Sequence, residues 1–157
     1  MKILIAYCTS SNNSEKIAKA MGDVLNQEDV DLVEAGYTTI IDLGSYELII
    51  LGSGIYLGHV CIQIIDLVRN SPNFPPKFAC FYSRQRTEPY PKAFNPIKEI
   101  LESNGSEFLG EFNCLGEYFS PYTSEEFKDA QENFKMYGFH PNEKDLKDAQ
   151  FFARSLI

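Results

Sequence analysis

Read by its apolar positions, the chain alternates between short continuous runs and stripes at helical spacing. Lys2–Tyr7 is a compact apolar run that ends abruptly in the polar stretch Cys8-Thr9-Ser10-Ser11-Asn12-Asn13-Ser14. Ile17, Ala20, Met21, Val24 and Leu25 then recur at helical spacing, which predicts an amphipathic helix. Val30–Val33 reads as a weaker strand, and Tyr46–Leu51 as a strong one closed by Gly52-Ser53-Gly54. Cys61, Ile64, Ile65 and Val68 mark a second helix, which the proline-rich Ser71–Pro76 cannot continue. Lys77–Tyr82 predicts a further strand, followed by a long polar loop over Arg84–Pro91. Phe94, Ile97, Ile100 and Leu101 give a third helical stripe that stops near Asn104-Gly105. Glu107–Leu115 reads as the last strand, interrupted by Gly110, and a short helix is expected near Glu125–Phe134. Leu146, Ala149, Ala153 and Leu156 form the stripe of a final helix, with Pro141 before it and Asn142 as its cap.

Strands that are apolar along their whole length and alternate with helices imply a parallel sheet covered on both faces. Right-handed crossovers then give an α/β three-layer, doubly wound sandwich around a five-stranded parallel sheet. At 157 residues and 44% hydrophobic content the chain fills one core, so a single domain over residues 1–157 is expected. No internal repeat or linker divides it.

Charge narrows the partners. With 22 acidic against 14 basic residues the net charge is −8, which argues against nucleic acid, whose phosphates demand a basic face. The same acidity fits steering toward a basic protein partner and plain solubility equally well. No apolar run reaches bilayer length, and the N-terminal run is too short for a signal peptide, so a cytoplasmic protein without membrane insertion is expected. Cys8, Cys61, Cys80 and Cys114 lie far apart in sequence, with no close pair for a zinc knuckle or a thioredoxin-type site. Cys61 and Cys80 sit among apolar residues and read as buried thiols. His59 and His140 make no metal site by their spacing, and no metal is expected.

In open α/β sheets a ligand binds outside the carboxyl ends of the strands, so the loops after Tyr7, Leu51, Tyr82 and Leu115 carry the chemistry. The first, Thr9-Ser10-Ser11-Asn12-Asn13-Ser14, joins a strand directly to a helix. It supplies hydroxyls, two amides and the orphan N–H groups of a helix N-terminus, which together make an anion site without lysine or arginine. A helix cap at Asn13 or Ser14 would need one such residue, and six in a row favour a phosphate. No lysine or glycine cluster follows, which excludes a Walker A loop and a dinucleotide fingerprint. A response-regulator domain needs an acidic pair after its first strand, and that pair is missing here.

On these residues the chain resembles the flavodoxin family. Thr9–Glu15 is similar to the family's T-x-T-G-N-T phosphate loop, with Asn12 at the usual glycine position; Asn tolerates a positive φ better than most residues. The likeness runs over essentially the whole chain, through Gly52–Gly58 and the terminal helix that follows His140-Pro141. The resemblance implies flavin mononucleotide (FMN), its phosphate held by Thr9, Ser10, Ser11, Asn12, Asn13 and Ser14. Ser53, Gly54, Ile55, Tyr56, Leu57 and Gly58 would lie against the flavin ring. Gly58, with Gly54 in reserve, would be the peptide that turns on reduction. Tyr56 reads either as a stack on the ring or as a loop aromatic packed on the second helix. Tyr82, Ser83 and Arg84 would reach the pyrimidine edge, with Tyr90 as a possible second stack.

Arg84 and Arg86 depart from the acidic surroundings that flavodoxins often give the ring edge. A cation there would stabilise the anionic hydroquinone, unless both arginines point into solvent and pair with Glu88. The function implied is an electron carrier between redox partner proteins, a reductase and an acceptor, with no catalytic side chain. Two other readings stay open. One is an FMN-dependent oxidoreductase acting on a quinone or porphyrinogen, with Tyr118, Phe119 and Tyr122 forming its pocket; short stretches resemble flavodoxin-type protoporphyrinogen dehydrogenases. The other is a binding module that kept the fold without the cofactor.

Overall fold

The computed structural model describes residues 1–116, Glu132 and 139–157. Along the chain run β1 (Lys2–Cys8), α1 (Asn13–Val24), β2 (Asp29–Glu34), β3 (Leu48–Tyr56), β4 (His59–Val60), α2 (Ile62–Arg69), β5 (Lys77–Arg84), α3 (Asn95–Ser103), β6 (Glu107–Leu115) and α4 (Glu143–Ser155). Five strands form a parallel sheet in the order β2-β1-β3-β5-β6, and β4 pairs antiparallel with the end of β3. This is the doubly wound arrangement expected, with strand order reversing about β1 and β3.

Successive residues of a strand face opposite sides, and here both sides are covered. Ile3, Ile5, Ile50 and Phe81 pack under α1 and α4 with Ile17, Met21, Ala149 and Ala153. Leu4, Ile49, Phe78 and Tyr82 pack under α2 and α3 with Ile64, Val68, Phe94 and Ile97. That double burial is why β1, β3 and β5 read as unbroken apolar runs rather than alternating ones.

Local chemistry fixes the ends of the elements. Helix α3 closes in a Schellman motif: Gly105 takes φ 87°, its N–H donates to Glu102 O, and Ser106 N–H donates to Leu101 O. Helix α4 opens with a capping box in which the Asn142 side chain accepts from Asp145 N–H at 3.0 Å and the Asp145 carboxylate accepts from Asn142 N–H at 2.8 Å. Gly110 interrupts β6 as a bulge, because the register steps from Phe78↔Phe108 to Cys80↔Glu111 and gives β6 one extra residue.

Three boundaries differ from the sequence expectation. Strand β3 does not close at Gly52; it runs through the glycines to Tyr56, because Gly52, Ser53 and Gly54 stay paired to Phe81, Tyr82 and Ser83 of β5. Strand β5 likewise continues to Arg84, paired with Leu115. Beyond β3, Leu57 and Gly58 make a two-residue turn into β4, where the sequence pattern predicts only loop. Both have positive φ, 51° and 82°, the signature of a turn matched to strand twist. The helix expected near Glu125–Phe134 lies, apart from Glu132, outside the described residues. Among the described residues no helix is long and apolar enough to cross a membrane.

Candidate functional site

The parallel register brings the loops after β1, β3, β5 and β6 to one edge of the sheet. Cys8 stands beside Ser53, Gly54 beside Ser83, and Arg84 beside Leu115. A recess at this edge is lined by Ser10, Ser11, Asn13, Gly54, Ile55, Tyr56, Ser83, Arg84, Gln85 and Gly116.

The floor of the recess is the turn that starts α1. Asn12, not Asn13 or Ser14, occupies the N-cap position, with φ 65° and ψ 5° in the left-handed region. Its side chain makes no capping bond, while its carbonyl accepts the first helical bond from Lys16 N–H at 3.1 Å. The glycine-like conformation is therefore kept by a residue that tolerates it. Asn13 is buried and donates from Nδ2 to Ser11 Oγ at 2.9 Å. Ser14 is 0% exposed, and its hydroxyl has no hydrogen-bond partner among the described residues. A buried hydroxyl left unpaired costs about 1–3 kcal/mol, so a fold that keeps one at a helix N-terminus has a ligand-shaped gap in its hydrogen bonding. The first-turn N–H groups of a 12-residue helix supply the remaining donors. Hydroxyl and amide donors at a helix N-terminus fit a phosphate ester. Thr9, half-buried, lines a neighbouring cavity rather than the recess.

Tyr56 forms the wall between the two. Its hydroxyl accepts from Ser10 N–H at 3.1 Å and from Ser10 Oγ at 2.9 Å, which ties the β3 end to the anion loop. Burial foremost raises the Tyr56 hydroxyl above its ordinary pKa, so it stays protonated. A Cβ on Gly54 would lie 2.7 Å from that hydroxyl oxygen, so glycine is what lets the ring lie flat there. Ser53 is buried and supportive: its hydroxyl donates to Gly54 O and accepts from Cys61 N–H at 2.9 Å. Leu57 is 62% exposed at the turn, beside half-buried Gly58.

At the third loop, Tyr82 is wholly buried beside Phe94 and faces the core, not the recess. Its hydroxyl accepts from Tyr90 N–H at 2.9 Å and so anchors the loop from beneath. Ser83 and Arg84 reach the recess. Arg84 donates from Nε to Asn113 Oδ1 at 2.9 Å and from its terminal nitrogen to Arg86 O at 3.0 Å. Arg86 donates to the carbonyls of Glu88 and Pro89 and stacks 3.6 Å from the Tyr90 ring centre. The arginines thus act as internal struts of the loop, one of them half-buried at the recess.

Sequence reasoning missed Gln85, Asn113 and Gly116. A Cβ on Gly116 would lie 2.6 Å from Asn13 Nδ2, so the anion loop requires glycine there. A glycine directly at the carboxyl end of the last strand was the available signal. Tyr118, Phe119 and Tyr122 lie outside the described residues.

No family model matches the chain. An uncharacterized protein of Methanocaldococcus jannaschii, MJ0298, is 34% identical, with 100% of this chain and 99% of the relative covered. The flavodoxin-like domain-containing protein BilS of Clostridioides difficile is 25% identical, covering 100% and 97%. Among solved structures, oxidised flavodoxin 1 from Bacillus cereus superposes with a TM-score of 0.72 at 16% identity, covering 98% of this chain and 95% of that one. A Lactobacillus acidophilus flavoprotein in complex with FMN superposes with a TM-score of 0.54 at 20% identity, covering 71% and 92%.

Proposed function

We propose that this chain, which belongs to the flavodoxin family, binds FMN without a covalent bond and carries electrons between a reductase and an acceptor protein in the cytoplasm. The observation that carries the reading is the turn into α1, where Asn12 holds a left-handed conformation and buried Ser14 presents an unpartnered hydroxyl. Asparagine in place of the family's glycine leaves that loop shape intact, which favours a cofactor-binding protein over a bare module.

When bound, the flavin supplies the electron chemistry. The hydroxyls of Ser11 and Ser14 and the amides of Asn12 and Asn13 hold the phosphate, with Ser10 fixed to Tyr56 beside them and Thr9 turned to the neighbouring cavity. Ser53, Gly54 and Ile55 bring β3 backbone to the ring, Tyr56 and Leu57 shield it from water, and Gly58 offers its peptide group. Tyr82 works from below by securing the Tyr90 backbone, while Ser83 and Arg84 face the pyrimidine edge. Adding apoprotein to micromolar FMN is expected to quench the flavin fluorescence to a stoichiometric end point; unquenched FMN overturns the reading. A carrier also shows no turnover with NAD(P)H and a quinone until a reductase is added, and turnover without one would make the chain an enzyme.

Arg84 sets the potential. Its guanidinium is positioned by Asn113 and the Arg86 carbonyl at the recess. A cation placed there favours the anionic reduced ring. Arg84→Ala is expected to lower the potential of the second reduction step in a redox titration, and an unchanged potential removes the role.

A further inference from the structure

On the far side of Tyr56 the fold joins two cysteines that are 53 positions apart in sequence (61 − 8). Cys8 ends β1 directly beside Ser53, and the Ser53 hydroxyl accepts from Cys61 N–H at 2.9 Å. Both cysteines therefore flank the Ser53 side chain, and each thiol perturbs the ionisation of the other. Cys61 is the N-cap residue of α2. Both cysteines are free and line a cavity of about 270 Å³ with Thr9, Ser10, Tyr56 and Gln63.

This surrounding divides the labour between the sulfurs. The thiolate is the nucleophile, and hydrogen-bond donors with a helix N-terminus favour it. The neighbouring Cys8 thiol, foremost, with the polar groups of Ser53 and Tyr56, draws Cys61 below the ordinary thiol range against the opposing effect of burial. Cys8 is pushed up by the Cys61 thiol beside it and by burial, and keeps its proton. Cys80 and Cys114 differ: burial foremost pushes each up, and neither lines this cavity.

We propose that Cys8 and Cys61 are a dithiol–disulfide couple whose oxidant is a low-molecular-weight disulfide entering the adjoining cavity. The Cys61 thiolate attacks one sulfur of that disulfide, forming a mixed disulfide and releasing the other half as a thiolate. Cys8 then loses its proton and attacks the Cys61 sulfur, closing Cys8–Cys61 and releasing the second half. The protein gives up two electrons and two thiol protons, and the small disulfide leaves as two thiols. The couple is independent of the FMN reading and is measured on protein without added flavin.

Oxidised glutathione is the probe. Treated under non-denaturing conditions, the protein is expected to lose the mass of two hydrogens, and peptide mapping should place one bridge between Cys8 and Cys61 with Cys80 and Cys114 still reduced. Retention of four thiols, a different bridge, or a bridge between two chains overturns the proposal. Cys8→Ser should accumulate the glutathione adduct on Cys61, whereas Cys61→Ser should take up none on Cys8; an adduct on Cys8 reverses the assigned roles and refutes it. In the unsubstituted protein, iodoacetamide should label Cys61 at least about tenfold faster than Cys80 or Cys114, and equal rates refute an activated sulfur.

Discussion

Riboflavin is expected to bind this chain at least about a hundredfold more weakly than FMN. The two ligands differ only in the phosphate, so the ratio reads the turn into α1 directly. A hydrogen bond to a charged group contributes about 1.5–3 kcal/mol, and tenfold in affinity is about 1.4 kcal/mol. Losing two such bonds already reaches the hundredfold mark, and Ser11, Asn13 and Ser14 with the helix N-terminus offer more than two. Ser14→Ala should shrink the preference for FMN about tenfold while moving riboflavin binding little, because it removes one donor that has no other partner. Fluorescence-quenching titrations with both ligands measure the ratio. Equal affinities would place the phosphate away from Asn12–Ser14 and leave the buried Ser14 hydroxyl without a purpose.

Gly52→Ala is expected to destabilise the fold by about 3 kcal/mol or more, the upper end of the cost of overpacking a core. A Cβ at this position would lie 1.9 Å from Phe81 Cζ and 2.3 Å from both Cε atoms. Phe81 is wholly buried between β5 and the α1–α4 layer, so its ring has no free space to enter. The backbone has no better escape, since Gly52 is paired to Tyr7 on one side and Phe81 on the other. Urea denaturation measures the loss as a fall in midpoint. Combining Gly52→Ala with Phe81→Leu should cost clearly less than the sum of the two single changes, because both act on one contact. Additive costs would mean that the ring does not sit over the glycine.

That contact also explains where the sequence was readable and where it was not. Lys2–Tyr7 was legible because burial on both faces writes an unbroken apolar run, and the last helix because Asn142 caps it; the edge strands Val30–Val33 and Glu107–Leu115, only partly buried, wrote a weaker pattern. Gly52-Ser53-Gly54 looked like the end of a strand because glycine is a local breaker. Its reason for being there, the Phe81 ring, lies 29 positions later in sequence (81 − 52). The anion loop was legible as a place because its residues are contiguous. The left-handed Asn12 was legible only through the family's glycine at that position, and the empty-handed Ser14 was not, since it depends on how the turn is buried. Tyr82 was read toward the ring edge by its position at a strand end, yet strand alternation turns it into the α2–α3 core. The Cys8–Cys61 pair meets another obstacle: no sequence spacing signals partners that only a parallel register and a tight hairpin bring together. Of the two courses open to the arginines, pairing with Glu88 is not taken: Arg84 reaches the recess braced by Asn113 and the Arg86 carbonyl, and Arg86 satisfies carbonyls of its own loop.

The turn after β3 has a mechanical consequence. Leu57 holds φ 51°, and a branched side chain in that conformation costs about 1–2 kcal/mol that glycine or asparagine would not incur. The penalty sits one residue from Tyr56, whose hydroxyl is fastened to Ser10 of the anion loop. The exposed leucine at this tip therefore stores backbone strain beside a side chain that is itself held fast, and Leu57→Gly is expected to release that strain and stabilise the fold, seen as a higher urea midpoint.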